Sequence, residues 1–129
     1  TAVTWDRWPA FDAHVRERVG AVLTELLGPS ASLSCRFTHV YPDGPAPYYS
    51  FSGPVPVGAE HEHWTAIKDA ANAAVIDAGG TITHHHAVGR MHRDGWRDQR
   101  PDLFESALRA TKKAFDPQGL LNPGVLFDP

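Results

Sequence analysis

Apolar side chains recur every three or four residues in three segments of the chain, which predicts three helices. The first helix carries Phe11, Val15, Val19, Val22, Leu23 and Leu26, and Gly28-Pro29 ends it. The second helix carries Trp64, Ile67, Ala71, Val75 and Ala78, and Gly79-Gly80 ends it. The third helix begins near Pro101, carries Phe104, Leu108 and Phe115, and ends at Asp116-Pro117.

Between the first two helices the pattern changes to strict alternation, which predicts two paired strands. In the stretch LSCRFTHVY one face is formed by Leu33, Cys35, Phe37, His39 and Tyr41. The turn signal Pro42-Asp43-Gly44-Pro45 precedes YYSFSGPV, where Tyr49 and Phe51 face one way and Tyr48 the other. His39 is therefore predicted to be a hydrogen-bonded core histidine, and Tyr48 to lie on the polar face.

The element order is α-β-β-α-β-α, with a short strand at 81–83. It predicts the α+β class: a ferredoxin-like (split βαβ) antiparallel sheet with helices on one face, plus a C-terminal helix and tail, in a single domain over residues 1–129. The first strand of such a fold is missing from the pattern, which would leave a sheet edge unpaired. Because the chain also begins at Thr1 without a methionine, we expect the C-terminal (cap or substrate) region of a longer protein.

Composition excludes several classes of protein. A content of 42% hydrophobic and 21% charged residues is typical of a soluble globular protein, and no apolar run is long enough to cross a bilayer. The single Cys35 excludes an internal disulfide and a cysteine-rich zinc site. The net charge of −3 gives no support for nucleic-acid binding, so no nucleic-acid partner is predicted.

Candidate chemistry is concentrated in the segment GGTITHHHAVGRMHRDGWRDQR. The stretch from His84 to Arg100 contains four arginines and two aspartates, which gives it a local formal charge of +2 in an otherwise acidic chain. This basic segment predicts an anion site, and the alternative is a solvated loop. The glycines Gly79-Gly80 and Gly89 leave the backbone unobstructed, as a large flat ligand would require.

The three consecutive histidines, His84, His85 and His86, allow two kinds of chemistry. As metal ligands they are poorly arranged, because on an extended segment His85 would point away from the other two, and neither HExxH nor CxxC is present. No metal is predicted. As proton-transfer groups they are better suited, since coupled imidazoles leave a neutral base beside cationic neighbours.

Two motifs together carry a family resemblance. GGTITHHHAVGR, followed by FDPQGLLNPGVLF, resembles the end of FAD-linked oxidases of the vanillyl-alcohol oxidase superfamily, and most of all alkyldihydroxyacetonephosphate synthase. FTHVYPDGPAPYYSF is also similar to the synthase family, which places a catalytic tyrosine in the strand after this turn, at Tyr48. Ala87 departs from the family's usual glycine. The resemblance covers nearly the whole chain but only about the last quarter of a family member.

The resemblance implies a reaction and a set of site residues. In the synthase family an acyl ester is exchanged for a fatty-alcohol ether through a flavin adduct, as in ether-lipid synthesis, without net oxidation. The implied catalytic residues are Tyr48, His84, His85 and His86. The implied cofactor-binding residues are His85 and Asn122, and the implied ligands of a substrate phosphate are His84, His86, Arg90 and Arg93.

Cofactor, partners and location follow from the same resemblance. FAD would be held mainly by an upstream domain of the same protein, and the chain alone is expected to bind it poorly and to be inactive. The expected substrate is a small phosphate or hydroxy acid. Two alternatives stay open: an FAD-dependent oxidase or dehydrogenase of a 2-hydroxy acid or small alcohol, and a non-enzymatic ferredoxin-like module that binds a metal or small anion. A bacterial cytoplasmic location is expected from the Ala-, Arg-, Gly- and Pro-rich composition, with homodimer formation and membrane association of the full-length protein left open.

Overall fold

The computed structural model describes residues 1–127, so the last two residues of the predicted domain lie outside it. The described helices are α1 (Trp8–Leu27), α2 (Glu60–Asp77), α3 (Arg93–Gln99) and α4 (Asp102–Phe115). Two strands, β1 (Ser32–Val40) and β2 (Pro45–Ser52), form one antiparallel ladder. The predicted α+β class is confirmed. The chain folds as two compact units, Thr1–His84 and the residues from His85 onward.

The core of the first unit lies between its two helices and one face of the ladder. From α1 the buried side chains are Phe11, Val15, Val19, Leu23 and Leu27. Their spacing of four residues brings them onto one stripe of the helix, as the sequence predicted. From α2 the buried residues are Ile67, Ala74 and Val75. Leu33, Tyr49 and Phe51 of the ladder pack against the same cluster, which closes the core.

The sheet edge predicted to be unpaired is covered by residues 1–5. The N–H groups of Val3 and Trp5 donate to the carbonyls of Pro45 and Asp43, at 3.3 and 3.0 Å. On the other side of this segment the N–H of Thr81 donates to the carbonyl of Ala2 at 3.0 Å. Residues 1–5 form no regular strand, so the first strand of the predicted fold is absent from the described residues, and only these backbone hydrogen bonds cover the edge.

Residues 79–83 differ from their prediction in two ways. The predicted strand at 81–83 is not a regular strand, although the Thr81 N–H bonds the Ala2 carbonyl of the N-terminal segment. The space beside the two glycines is filled by Arg7, which precedes α1, and by Phe11 of α1. A Cβ on Gly79 would lie 2.1 Å from the Arg7 guanidinium, and one on Gly80 2.4 Å from the Phe11 ring. Arg7 also donates to the Ala78 carbonyl at 3.2 Å. These two glycines follow α2 and admit the side chains of Arg7 and Phe11, so their interpretation as an opening for a flat ligand is wrong, whereas a Cβ on Gly89 would meet nothing within 4 Å.

A β-bulge changes which face of the sheet His39 occupies. Phe37 pairs with Pro47 but His39 pairs with Ala46, so Thr38 is an extra residue in β1. Paired residues share a face, and Ala46 shares its face with Tyr48 two residues later. His39 therefore lies on the side of Tyr48 and not in the core, which corrects the prediction from strict alternation.

The second unit contains α3 and α4. The helix α4 begins after Pro101 and ends before Asp116, as predicted, whereas α3 was not predicted because its seven residues carry a single large apolar side chain, Trp96. No residue of α4 is buried, and Leu103 and Phe115 are each 84% exposed. Among the residues described, no helix combines the length and the hydropathy that a bilayer crossing requires.

Candidate functional site

Two adjacent tyrosines of β2 lie on opposite faces of the sheet. Tyr48 pairs with Arg36 on the outer face and is 43% exposed. Tyr49 pairs with Cys35 on the core face, and its hydroxyl donates to the Asp12 carboxylate at 2.8 Å. The alternation of β2 thus leaves the Tyr48 phenol open to a ligand and fixes the Tyr49 phenol inside the protein.

The core-face phenol and thiol are held in their protonated forms. Burial raises the pKa of Tyr49 well above its usual range, and the hydrogen bond to Asp12 raises it further. Burial also raises the pKa of the Cys35 thiol, with a smaller contribution from the negative charge of Asp12. Asp12 in turn accepts from Arg16 at 2.8 Å. Because a base or nucleophile needs the opposite shift, this network is structural.

The outer face of the ladder is lined with hydroxyl groups. The Oγ atoms of Ser32 and Ser52 lie 2.9 Å apart, and Ser34 Oγ donates to the Ser50 carbonyl at 3.4 Å. At the end of this row the Arg36 guanidinium carbon lies 5.2 Å from the centre of the Tyr48 ring. The face beside Tyr48 is therefore polar and exposed, as a surface that receives a polar ligand requires.

Three aromatic rings gather at one end of the sheet in the first unit. The rings of His39 and Tyr41 are stacked in parallel, 5.7 Å between centres. The His84 ring lies edge-on to both, at 6.0 Å from His39 and 5.8 Å from Tyr41. Because the bulge brings His39 to the Tyr48 side, the ring of His84, the first of the three predicted histidines, lies beside one residue of that face.

Sequence reasoning missed His39 as a member of this group. The available signal was the pair Pro45 and Pro47 in β2, which face Val40 and Phe37 across the ladder. Proline cannot donate a ladder hydrogen bond and is tolerated in strands mainly at edges and bulges. Two prolines opposite one segment of β1 therefore indicate irregular pairing there.

The other two histidines belong to the second unit, and both are exposed. His85 has a φ of +57°, in the left-handed region that few non-glycine residues adopt. The segment 84–86 is therefore bent instead of extended, and the predicted alternation of the three side chains is wrong. The catalytic and cofactor roles of His85 and His86 stay predictions.

Two of the predicted phosphate ligands bind the turn near the C-terminus. Arg90 donates to the Pro123 carbonyl at 2.9 Å, and Arg93 donates to the Gly124 carbonyl at 3.3 Å. Asn122, at a φ of +47°, begins this turn, and its carbonyl accepts from the N–H of Val125 at 3.3 Å. In this arrangement both arginines have a structural role, and their role as phosphate ligands is untested.

The hydrogen bonds of Asp116 explain why the motif FDPQGLLNPG has an aspartate at this position. Its carboxylate accepts from Lys112 Nζ at 2.6 Å and from the N–H groups of Leu120 and Leu121, each at 2.9 Å. The hydrogen bond from Lys112 is the largest cause that lowers the pKa of Asp116 to about 2. One side chain therefore ends α4 and shapes the loop that follows.

Comparison with known proteins adds a family to this geometry. The family model described as FAD linked oxidases, C-terminal domain, matches residues 1–126. Alkyldihydroxyacetonephosphate synthase of Caenorhabditis elegans is 29% identical over 99% of this chain and 22% of its own length. The synthase of Trypanosoma brucei brucei is 28% identical over 78% of this chain and 16% of its own length.

A second kind of relative matches a shorter part of the chain. Glycolate oxidase subunit GlcD of Bacillus subtilis is 42% identical over 40% of this chain and 10% of its own length. The chain thus spans less than a quarter of the length of each of these three curated relatives.

Proposed function

The chain belongs to the FAD linked oxidases, as their C-terminal domain, and we propose that it forms the substrate-facing part of an FAD-dependent enzyme in which the Tyr48 hydroxyl transfers a proton. The observation that carries this proposal is the difference in environment between two adjacent tyrosines of β2. Tyr48 is exposed on a polar face, whereas its neighbour Tyr49 is bound to Asp12 in the interior. A phenol that is open to a ligand and free of the core is suited to acid–base chemistry.

The residues of this chain fit one part of FAD better than another. The outer face of the ladder carries Tyr48 and a row of serine hydroxyls, which suits the polar edge of a ring system and a substrate beside it. The sequence contains no glycine-rich phosphate loop at the start of a helix, so the diphosphate would be held by an upstream domain. FAD, when bound, would supply the flavin ring at which the reaction takes place.

The reaction we propose is the exchange of an acyl ester for a fatty-alcohol ether on a phosphate-bearing substrate, as the name and motifs of the synthase relatives imply. Two synthases match most of the chain, and the triple histidine is part of the motif that resembles the synthase family. Tyr48 would hold or move the proton at the reacting substrate carbon. His84, with His85 and His86, would bind the substrate phosphate or transfer protons, and Arg90 and Arg93 would add positive charge.

A second function is favoured by one observation. The glycolate oxidase subunit is 42% identical to this chain over 52 residues, a higher identity than that of the two synthases over longer matches. It supports an FAD-dependent oxidation of a 2-hydroxy acid, in which the same phenol and imidazoles would take the proton of the substrate hydroxyl.

Product analysis with the full-length protein separates the two functions. The protein would be incubated with an acylated dihydroxyacetone phosphate and a long-chain alcohol, and in parallel with a panel of 2-hydroxy acids and an electron-accepting dye. We expect the ether product by mass spectrometry and no dye reduction. Dye reduction by a hydroxy acid without ether formation would support the second function and reject the first.

Flavin content tests the cofactor assignment separately. We expect the purified full-length protein to carry about one FAD per chain, visible in its absorbance spectrum, and the 129-residue chain to be colourless after incubation with excess FAD. A 129-residue chain that retains stoichiometric flavin after gel filtration would contradict the proposal that an upstream domain holds the diphosphate.

A further inference from the structure

Arg36 is a cation without a counter-charge on the outer face of the sheet. Within residues 1–127 it forms no ion pair, whereas Arg16, Arg100 and Arg109 each pair with a carboxylate. Arg36 is exposed and lies directly opposite Tyr48 in the ladder. The charge on this face is therefore available to a ligand.

The guanidinium of Arg36 lies over the Tyr48 ring. The guanidinium carbon lies 5.2 Å from the ring centre, within the range of a cation–π contact. Such a contact restrains a long and otherwise flexible side chain while it leaves N–H donors at the edges of the guanidinium plane. Those donors match the oxygens of a phosphate or carboxylate, which arginine binds through two parallel hydrogen bonds.

The surroundings of Arg36 favour an anion. The neighbouring outer-face side chains are the serine hydroxyls of the ladder and the Tyr48 phenol, and no carboxylate is among the paired residues of the two strands. An anionic group bound by Arg36 would therefore lie beside the hydroxyl to which proton transfer is assigned. By contrast, Arg90 and Arg93 already donate to the carbonyls of Pro123 and Gly124.

We propose that Arg36 is a substrate-binding residue that holds the anionic group of the substrate, a phosphate monoester or a carboxylate, beside Tyr48. This inference rests on the proposed function of Tyr48. It adds a specificity-determining residue that neither the triple histidine nor the C-terminal motif contains.

The test compares Arg36→Met, Arg36→Lys and the control Arg18→Met in the full-length protein. Arg18 is an exposed residue of α1 that also forms no ion pair within the described range. We expect Arg36→Met to raise KM for the anionic substrate by about 10- to 100-fold with little change in kcat, because a charged hydrogen-bond partner is removed from binding. Arg36→Lys keeps the charge without the planar pair of donors, so its KM should be intermediate, and Arg18→Met should match the wild type.

Equilibrium binding distinguishes failure of this inference from failure of the proposed function. Calorimetric titration of the same proteins with inorganic phosphate, and separately with acetate, needs no turnover. Weaker phosphate binding in Arg36→Met assigns the site to a phosphate monoester, and weaker acetate binding assigns it to a carboxylate. Unchanged affinity for both anions with unchanged KM would overturn the role of Arg36, even if Tyr48 proves essential. Circular dichroism melting of each variant checks that it is folded, and a loss of kcat alone with unchanged anion affinity would also overturn it.

Discussion

At the scale of single residues, neighbours in sequence differ because their surroundings differ. Tyr48 and Tyr49 have the same side chain, yet one is exposed beside Arg36 and the other donates to Asp12. Strand alternation was enough to predict their opposite faces. It could not predict the Asp12 partner, because that contact depends on how α1 packs against the sheet.

Asp116 makes stability depend on pH in a defined window. Hydrogen bonds from Lys112, Leu121 and Leu120 lower its pKa from the usual 3.8 to about 2 in the folded protein. The stabilisation is therefore complete above about pH 4 and is lost as the pH falls toward 2. We expect the difference in urea midpoint between the wild type and Asp116→Asn to shrink steadily over that window.

A matched control separates this effect from general acid denaturation. Asp98 is exposed and forms no ion pair within residues 1–127, so Asp98→Asn should follow the wild type at every pH. A midpoint difference for Asp116→Asn that is constant from pH 6 to about pH 2 would show that the carboxylate charge has no such role.

At the scale of elements, the two strands were predicted correctly but their register was not. The alternating pattern locates β1 and β2, yet it assumes that no residue is inserted. The extra Thr38 shifts His39 from the Phe37 side to the Tyr48 side. The bulge lies opposite the prolines of the partner strand, which cannot donate ladder hydrogen bonds. The pattern of one strand alone therefore does not reveal it.

The position of the N-terminal segment was not predicted for a similar reason, since backbone hydrogen bonds and not side-chain alternation hold it against the start of β2. Its close approach explains Gly44, where a Cβ would lie 2.0 Å from the Val3 carbonyl oxygen. The Cβ is fixed by the backbone of Gly44 and the oxygen is part of the backbone of Val3, so neither atom can move without a shift of the chain.

Gly44→Ala tests whether this segment is held against β2 and the turn before it. We expect the free energy of unfolding to fall by about 1–3 kcal/mol, as for other overpacked sites, and the amides of Val3 and Trp5 to exchange faster with deuterium. Gly20→Ala is the control: a Cβ there meets nothing within 4 Å in the middle of α1, so stability should rise by about 0.5–1 kcal/mol. An equally stable Gly44→Ala protein would show that residues 1–5 are not held against β2.

At the scale of the whole molecule, periodicity predicted three of the four described helices and both strands. The family was recognised from sequence motifs and not from physical reasoning. The structural basis of those motifs became visible only in the structure: Asp116 shapes the loop of FDPQGLLNPG, and the triple histidine is bent at His85. The site of the proposed function is assembled from β1, β2 and residue 84. The sequence predicted site roles for Tyr48 and His84, which stay predictions, but it did not single out Arg36 or indicate the face of His39, because both depend on cross-strand register.

The central claim, that the exposed phenol of Tyr48 transfers the proton, is tested most directly by comparing Tyr48→Phe with Tyr49→Phe in the flavin-loaded full-length protein. Turnover should fall by about 100-fold or more in Tyr48→Phe, with unchanged flavin content and melting temperature. Tyr49→Phe should instead keep its turnover and lose about 1–2 kcal/mol of unfolding free energy, because only the bond to Asp12 is removed. Wild-type turnover in Tyr48→Phe would contradict the account.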